Sequence, residues 1–161
     1  MAEEFSDFVL QKYNLQSIQP IRGNVVIIDR QPYISHPRSD VSKFHRQSSN
    51  NDVLKSALEK IPSVKVQIAR METLSFGQQI KLVREAHVLI GIHGAALSHL
   101  MFMDKSKSHV LEFSPESSDF FQYLAEWKGI HHEMIYTNTD WTASGEEVEP
   151  TVDFVRGFMG G

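Results

Sequence analysis

The segment AHVLIGIHGAALSHLMFM, residues Ala86–Met103, decides the fold that we predict for this chain. Its first part, His87–Ile92, is an apolar run that predicts a strand buried on both faces of a parallel sheet. Small residues follow, and Leu97–Met103 then predicts a helix. We expect the N–H groups at this helix start to receive an anion, because small side chains let a ligand approach the main chain. The alternative is that the small residues only pack the helix against the strand.

The end of this strand and the loop after it supply five candidate ligand-binding residues: Gly91, His93, Gly94, Ala95 and Ala96. His93 is placed where it would donate a hydrogen bond to a phosphate or to a departing oxygen. The spacing differs from the G-x-G-x-x-G fingerprint of dinucleotide-binding proteins, and it follows the third predicted strand instead of the first. The chain also has no P-loop motif and no G-x-S-x-G nucleophile elbow. These features disfavour nicotinamide-dependent enzymes, kinases, P-loop NTPases and α/β-hydrolases.

Strands and helices alternate along the rest of the chain. Further strands are predicted at Asn24–Arg30, Val64–Ala69, His109–Phe113 and Glu133–Tyr136, the second of these near a sheet edge because it alternates apolar and polar residues. Helices are predicted at Glu3–Tyr13, Asp52–Ile61, after a Ser75–Gln78 capping box, at Ser117–Trp127 and at Thr151–Phe158. Gln31–Gln47 and Thr137–Pro150 are polar and predict loops. The pattern indicates a doubly wound α/β fold, with a mostly parallel, Rossmann-like sheet and helices on both faces.

Length and composition fit one domain and exclude several classes of protein. The chain has 161 residues, 22% of them charged, and a formal net charge of −4. We expect a single lobe over residues 1–161, with a lead-in helix and linker over 1–20 and a polar loop and closing helix over 137–161. The acidic balance disfavours nucleic-acid binding, and the lack of cysteine excludes disulfides and thiolate chemistry in this segment. No apolar run is long enough to predict a membrane span, and the acidic start does not resemble a signal peptide.

Three charged residues at predicted strand ends are further candidates, because ligands of such sheets bind beyond the carboxyl ends of the strands. Arg30 ends the first strand and Arg46 closes the loop after it, so either guanidinium would clamp phosphate oxygens or remain a surface charge. Glu112 lies in an otherwise apolar strand, where an unpaired buried carboxylate would be costly. It would accept hydrogen bonds from the two vicinal hydroxyls of a ribose, or form a salt bridge to an Arg or Lys.

The histidine spacing does not predict a metal site. His93 and His99 are six residues apart, and His131 and His132 are adjacent, whereas ligands on one helix face are four apart. The chain also lacks an Asp-x-Asp pair of the kind that holds a divalent cation against a diphosphate. We therefore expect no metal cofactor, with arginine and backbone N–H groups neutralising any bound diphosphate.

The aromatic residues of the predicted helix Ser117–Trp127 are expected to be mostly buried. Helical spacing assigns Phe120, Phe121 and Trp127 to the core, and Tyr123 points away from that apolar face.

The run SFGQQIKLVREAHVLIGIHGAALSHLMFMDKSKSHVLEFSP, Ser75–Pro115, resembles the C-terminal half of glycosyltransferase family 61. Members of that family show a helix, the motif A-D-V-L-I-G-x-H-G-A-G-L-T-N, and then a strand of the type V-L-E-I followed by a proline. The resemblance extends upstream to Arg30, Arg46 and Asn50, and downstream to Tyr123–Ala125. The chain departs from the pattern at His87, Ala96, Ser98–His99 and Asp104–Lys107.

The resemblance implies one lobe of a GT-B fold, the lobe that holds a UDP-sugar donor. An N-terminal lobe, missing here, would supply much of the site for a glycan or glycoprotein acceptor, and transfer would occur with inversion and without metal. The implied donor-binding residues are Arg30, Arg46, Gly91, His93, Gly94, Ala95, Ala96 and Glu112, with no catalytic residue assigned. The family also implies residence in the lumen of the Golgi or endoplasmic reticulum. Two alternatives remain: an inert nucleotide- or nucleotide-sugar-binding or interaction module of the same fold, and an unrelated α/β protein whose His-Gly-Ala loop is structural.

Overall fold

Five parallel strands form the central sheet. The structure is a computed structural model that describes residues 2–30, 48–49, 51–114, 119–137, 141–142 and 146–160. The strands in chain order are β1 (Asn24–Ile28), β2 (Ser48–Ser49), β3 (Lys65–Ala69), β4 (Val88–Ile92), β5 (His109–Ser114), β6 (His131–Tyr136) and β7 (Trp141–Thr142). The main sheet has the order β3-β1-β4-β5-β6, and the short β2 and β7 pair separately. The predicted parallel α/β sheet is confirmed, with β3 at an edge as its alternating sequence indicated.

In the residues that the structure describes, five α-helices and two 3₁₀ helices cover the sheet. The α-helices are α1 (Ala2–Lys12), α2 (Asn51–Leu58), α3 (Phe76–Glu85), α4 (Phe120–Lys128) and α5 (Val148–Met159), and the 3₁₀ helices are Met71–Thr73 and Ala95–Phe102. The predicted capping box at the start of α3 is present, since the Ser75 hydroxyl accepts from the Gln78 amide and the Gln78 side chain accepts from the Ser75 amide. Gly129 ends α4 in the left-handed conformation, with φ of 78°.

Each face of the sheet carries one apolar core, because both faces of the central strands are covered. Val25, Val26 and Ile27 of β1 are completely buried. One core packs side chains of α1, α3, α4 and the 3₁₀ helix Ala95–Phe102 against the sheet. The other packs α2 and α5 against the opposite face. Helices therefore lie on both faces of the sheet, as the alternation of elements predicted.

The helix predicted at Leu97–Met103 is present as a 3₁₀ helix that begins two residues earlier, at Ala95, and ends at Phe102. Leu97, Leu100 and Met103 are all completely buried, and they recur at every third residue. A repeat of three matches the 3₁₀ helix, in which residues i and i+3 eclipse one another. The tighter winding keeps all three side chains in the core.

The apolar faces of two helices differ from those predicted. On α4, Phe121 is buried, but Phe120 and Trp127, both expected in the core, are exposed together with Tyr123. Helical spacing alone did not distinguish the face that meets the sheet from the face that meets solvent. On α1, helical spacing predicts one apolar face with Phe5, Phe8 and Val9, but Phe5 and Phe8 are exposed and the buried residues are Ser6, Val9 and Leu10.

The predicted terminal loop is shorter than expected. α5 starts at Val148 instead of Thr151, and β7 lies inside the predicted loop Thr137–Pro150. The predicted loop Gln31–Gln47 lies outside the described residues. None of the helices in the described ranges combines the length and apolar character needed to cross a membrane.

Three histidines meet at the amino end of the sheet, opposite the end at which ligands of such folds bind. His87 precedes β4, and His109 and His131 start the next two strands; neighbouring ring centroids are 5.4 and 5.7 Å apart. The His109 ring stacks on Phe158 of α5, and its Nδ1 is buried without a hydrogen-bond partner in the described part of the chain. Burial, with the nearby His87 and His131, lowers the pKa of His109 to about 4. Burial and the charge of Arg22 lower the pKa of His87 as well.

We expect this histidine cluster to make the fold sensitive to acid. An unfolded histidine has a pKa near 6.5, so between about pH 6.5 and 4 the unfolded chain binds more protons than the folded one, and stability falls as the pH falls. His109→Phe keeps the stacking on Phe158 and removes the titrating group. Between pH 6.5 and 4, thermal unfolding should show that the wild type loses on the order of 5 °C more than the variant in Tm. Parallel Tm profiles for the two proteins would show that His109 does not carry this dependence.

Candidate functional site

The candidate site lies at the carboxyl end of the sheet, where the strand order reverses between β1 and β4. In the order β3-β1-β4-β5-β6, the connection after β1 runs to β3 on one side and the connection after β4 runs to β5 on the other, an arrangement that in such folds opens a crevice between these two central strands. β1 ends at Ile28 and is followed by Asp29 and Arg30, and β4 ends at Ile92 and is followed by His93 and Gly94. Two of the segments that the sequence singled out therefore meet at this crevice.

Arg30 and the loop after β4 are in direct contact. The Arg30 Nη1 donates a hydrogen bond of 2.6 Å to the carbonyl oxygen of His93. A Cβ placed on Gly94 would lie 2.0 Å from that Nη1 and 2.9 Å from the Arg30 Cζ. Gly94 is extended, with φ of 163°, so its backbone conformation suits any residue, and it is the lack of a side chain that leaves room for the Arg30 guanidinium. The sequence predicted both residues, but only the fold shows that one accommodates the other.

Three consecutive backbone N–H groups open the 3₁₀ helix at this point. The His93 amide donates to the Phe113 carbonyl at 2.7 Å, and the Leu97 amide donates to Gly94 at 2.9 Å. The amides of Gly94, Ala95 and Ala96 have no hydrogen-bond partner within the described ranges. All three residues retain exposed surface, and Ala95 is the most exposed. Unpartnered N–H groups at a helix start are suited to an anion.

Glu112 is completely buried and lies between two histidines. Its Oε1 forms a short hydrogen bond with His93 Nδ1, and its Oε2 contacts His132 Nε2 at 2.8 Å. An ionised carboxylate only accepts hydrogen bonds, so both of these imidazole nitrogens must carry protons. Glu112 thus has histidine partners, neither the Arg nor the Lys considered from the sequence. A contact between Glu112 and a ribose stays a prediction, since in this structure the carboxylate lies behind His93.

The His93 imidazole is fixed on two sides. Its Nδ1 is bonded to Glu112, and the edge of its ring packs against Phe121, with ring centroids 5.0 Å apart. The side chain remains 14% exposed, and within the described residues its Nε2 has no partner. His93 therefore has one nitrogen held by the core and one left for a ligand.

A second polar cluster lies on the opposite face of the same sheet end. Asp29 is buried and accepts hydrogen bonds from Asn51 Nδ2 and from Arg70 Nε, each at 2.9 Å. Asp29 supports the Arg70 guanidinium and raises the pKa of that group further, both by the hydrogen bond and by charge. None of Asp29, Asn51 and Arg70 was a candidate from the sequence, because no motif or spacing distinguishes them.

The positions of the remaining candidates do not indicate a role in ligand binding. Gly91 lies inside β4, where a Cβ would approach Leu97 and Ile28 at 3.1 and 3.2 Å, so its small size serves packing in this structure. Arg46 lies outside the described residues. Within the described ranges, no group of three or more His, Asp or Glu side chains is arranged to hold a metal ion. Donor binding by these residues and metal independence both stay predictions.

Several known structures have a similar course of the chain. The flavodiiron core of Flv1 from Synechocystis matches 96% of this chain and 41% of its own, with a TM-score of 0.57 and 16% identity. A flavodoxin-like domain from a Synechococcus protein matches 85% of this chain and 95% of its own, with a TM-score of 0.52 and 16% identity. At these identities the likeness defines only the class of fold, a doubly wound α/β protein with the flavodoxin-like strand order.

Sequence relatives define the family within that class. The model of the family described as Glycosyltransferase 61 matches residues 1–111, and this chain belongs to that family. Beta-1,2-xylosyltransferase RCN11 of Oryza sativa subsp. japonica is 25% identical over 96% of this chain and 31% of its own length. The EGF domain-specific O-linked N-acetylglucosamine transferase of Drosophila melanogaster is 28% identical over 80% of this chain and 23% of its own. The resemblance noted in the sequence is thus confirmed, and the chain spans less than a third of the length of either relative.

We expect the buried carboxylate to be critical for stability. Glu112→Ala leaves two histidine N–H groups without an acceptor and should lower the free energy of unfolding by about 3–5 kcal/mol in urea denaturation. Glu112→Gln keeps the shape and one acceptor oxygen, and should cost about 1–2 kcal/mol.

Glu133→Ala is the matched control, because Glu133 is exposed on the neighbouring strand and should change stability by less than about 0.5 kcal/mol. If Glu112→Ala is as mild as this control, the carboxylate does not hold the two histidines.

Proposed function

We propose that this chain forms the donor-binding part of a UDP-sugar-dependent, inverting glycosyltransferase of the GT-B type. Membership of the family supports glycosyl transfer. The observation that carries the proposal is the contact of Arg30 with the His93–Gly94 loop at the point where the strand order reverses. It puts a permanent positive charge, an imidazole and three unpartnered amides at the place where α/β folds of this kind bind ligands.

These groups match the chemistry of a diphosphate. A guanidinium presents planar donors that suit phosphate oxygens, and hydrogen bonds to an ionised group are the stronger ones. When the bond between the sugar and the nucleotide breaks, negative charge develops on the departing diphosphate. Donors that are already in place at that point stabilise the transition state, because they need no reorganisation during the reaction. In this proposal Arg30, His93 and the amides of Gly94–Ala96 do so without a metal ion.

The position of Ala96 is compatible with this role. Ala96 stands where the family motif has a glycine, and its side chain packs against the apolar core formed with α1, α3 and α4. The methyl group therefore need not occupy the space in which a diphosphate would lie next to the Gly94 and Ala95 amides.

The rest of the reaction is assigned to polypeptide outside this segment. An acceptor hydroxyl, deprotonated by a general base, would attack the anomeric carbon opposite to the departing UDP, which gives inversion. We assign that base and the glycan or glycoprotein acceptor site to an N-terminal lobe of the kind that GT-B enzymes have, and we place the reaction in the lumen of the secretory pathway. The names of the relatives suggest xylose and N-acetylglucosamine as the first sugars to examine.

Gly94→Ala is the sharpest binding test. The new methyl group would displace the Arg30 guanidinium, the flexible end of a side chain, so the fold should be retained while the Arg30–His93 bond is lost. Isothermal titration calorimetry with UDP, UDP-xylose and UDP-N-acetylglucosamine should show binding by the wild type. Affinity should fall about tenfold or more in the variant, since one charge-assisted hydrogen bond is misplaced.

Gly157→Ala is the matched control, since a Cβ at Gly157 has no atom within 4 Å and the site is remote on α5. It should leave binding unchanged and stabilise the helix by about 0.5–1 kcal/mol. Absence of UDP binding by the wild type would contradict the proposed function. Binding of UDP-sugars without product formation, also when the remaining lobe is supplied, would support an inert nucleotide-sugar-binding module instead.

A further inference from the structure

We infer that His132 is a positioning residue of the site: its hydrogen bond to Glu112 fixes the proton of His93 on Nδ1 and leaves Nε2 of His93 for the ligand. His132 is not part of the set of residues that the family resemblance implies, and the sequence-based strand started one residue after it. Its effect on ligand binding rests on the proposed function, whereas its effect on the His93 proton does not.

The sheet register brings the three side chains together. In the pairing of β5 with β6, His132 lies opposite Val110 and Met134 lies opposite Glu112. In the pairing of β4 with β5, Gly91 lies opposite Glu112. Because alternate residues of a strand point to the same face, His132, Glu112 and the residue two beyond Gly91, His93, lie on one face of the sheet. Gly91 has no side chain to separate them.

Burial makes both hydrogen bonds to Glu112 necessary. The Glu112 side chain has no exposed surface, and that of His132 is 5% exposed. His93 and His132 are the partners of this carboxylate within the described residues. A buried carboxylate oxygen that loses its donor has a large desolvation cost, because water does not replace the lost bond. The other neighbouring charge, Arg30, is bonded to the main chain of His93 and leaves the carboxylate to the two histidines.

The positions of the protons on Glu112 and His93 explain how His132 affects His93 through the carboxylate between them. With His132 donating, Glu112 stays an acceptor on both oxygens, so the proton of a neutral His93 must be on Nδ1. Without that donor, Glu112 takes up a proton from solvent and becomes a donor itself. It then donates to His93 Nδ1, and the proton of the neutral ring moves from Nδ1 to Nε2. A diphosphate accepts hydrogen bonds, so in the wild type His93 takes up a second proton on Nε2 when the ligand binds, and the charged ring donates to Glu112 and to the ligand. Without the His132 donor, the neutral ring donates from Nε2 with no carboxylate behind it, so the positive charge that would face the diphosphate is lost.

His132→Phe and His132→Gln distinguish this role from simple packing. Phenylalanine keeps a planar ring but has no donor, whereas the glutamine amide can donate to Glu112 in place of the imidazole Nε2. In ¹⁵N NMR spectra of the histidine rings, the wild type and His132→Gln should show neutral His93 protonated on Nδ1. His132→Phe should show it protonated on Nε2. UDP affinity should fall about five- to tenfold in His132→Phe and stay within about twofold of wild type in His132→Gln.

His131→Phe is the matched control, because His131 is the adjacent residue of β6 and its ring packs against Phe154 and Phe158 of α5, on the other face. It should leave the His93 proton on Nδ1. An Nδ1 proton retained in His132→Phe, or a wild-type His93 protonated on Nε2, would overturn the inference. A wild-type His93 protonated on Nε2 overturns the inference even if His132→Phe does not fold. Lack of UDP binding by the wild type would instead contradict the proposed function and leave the NMR result standing.

Discussion

The carboxyl end of the sheet depends on the burial of one carboxylate. Glu112 has no access to water, so its charge must be met by protein donors, and the two that meet it come from the segments on either side of β5. One donor is in the loop after β4 and the other is in β6. The need to keep this group paired therefore ties three consecutive segments of the sheet together. This pairing also positions the loop after β4, because His93 is the first residue of that loop and is bonded to Glu112.

Strand alternation divides the polar residues at this end of the sheet into two groups. Val26 pairs with Leu89, so Arg30 and His93, which follow at even steps along β1 and β4, share a face with Glu112. Asp29 is one residue out of phase and lies on the other face, where it holds Arg70 and Asn51. The two groups have different characters. In the first group the buried acid, Glu112, is bonded to imidazole rings. In the second group the buried acid, Asp29, is bonded directly to the guanidinium of Arg70.

The sequence predicted the strands better than the faces of the helices, and the reason is physical. A strand buried on both faces is a continuous apolar run, which is unambiguous in β1 and β4, and a capping box such as Ser75–Gln78 specifies its own geometry. The faces of α1 and α4 depend on which side the sheet lies, and each helix has enough aromatic residues to offer two apolar faces. His132 was missed because its role comes from register with β5, which is a contact between residues distant in sequence. Arg30, His93 and Glu112 were found because each interrupts or ends an apolar run.

The fold predicts where a ligand would bind, and the side chains at that place predict its chemistry. A flavodiiron core and a flavodoxin-like domain have a similar fold at 16% identity, and the crevice expected beside β1 and β4 follows from the strand order of this sheet. What distinguishes this chain is the set of side chains at the crevice. The lack of a side chain on Gly94 admits the Arg30 guanidinium to the loop, and the Glu112 carboxylate orients the His93 ring. Both arrangements are held by contacts within the protein, which lowers the ordering cost of binding an anion. Selectivity for one ligand over another in such a site depends on how precisely its hydrogen-bond donors are placed. Here the sheet register places them, because it sets which residues of neighbouring strands lie side by side.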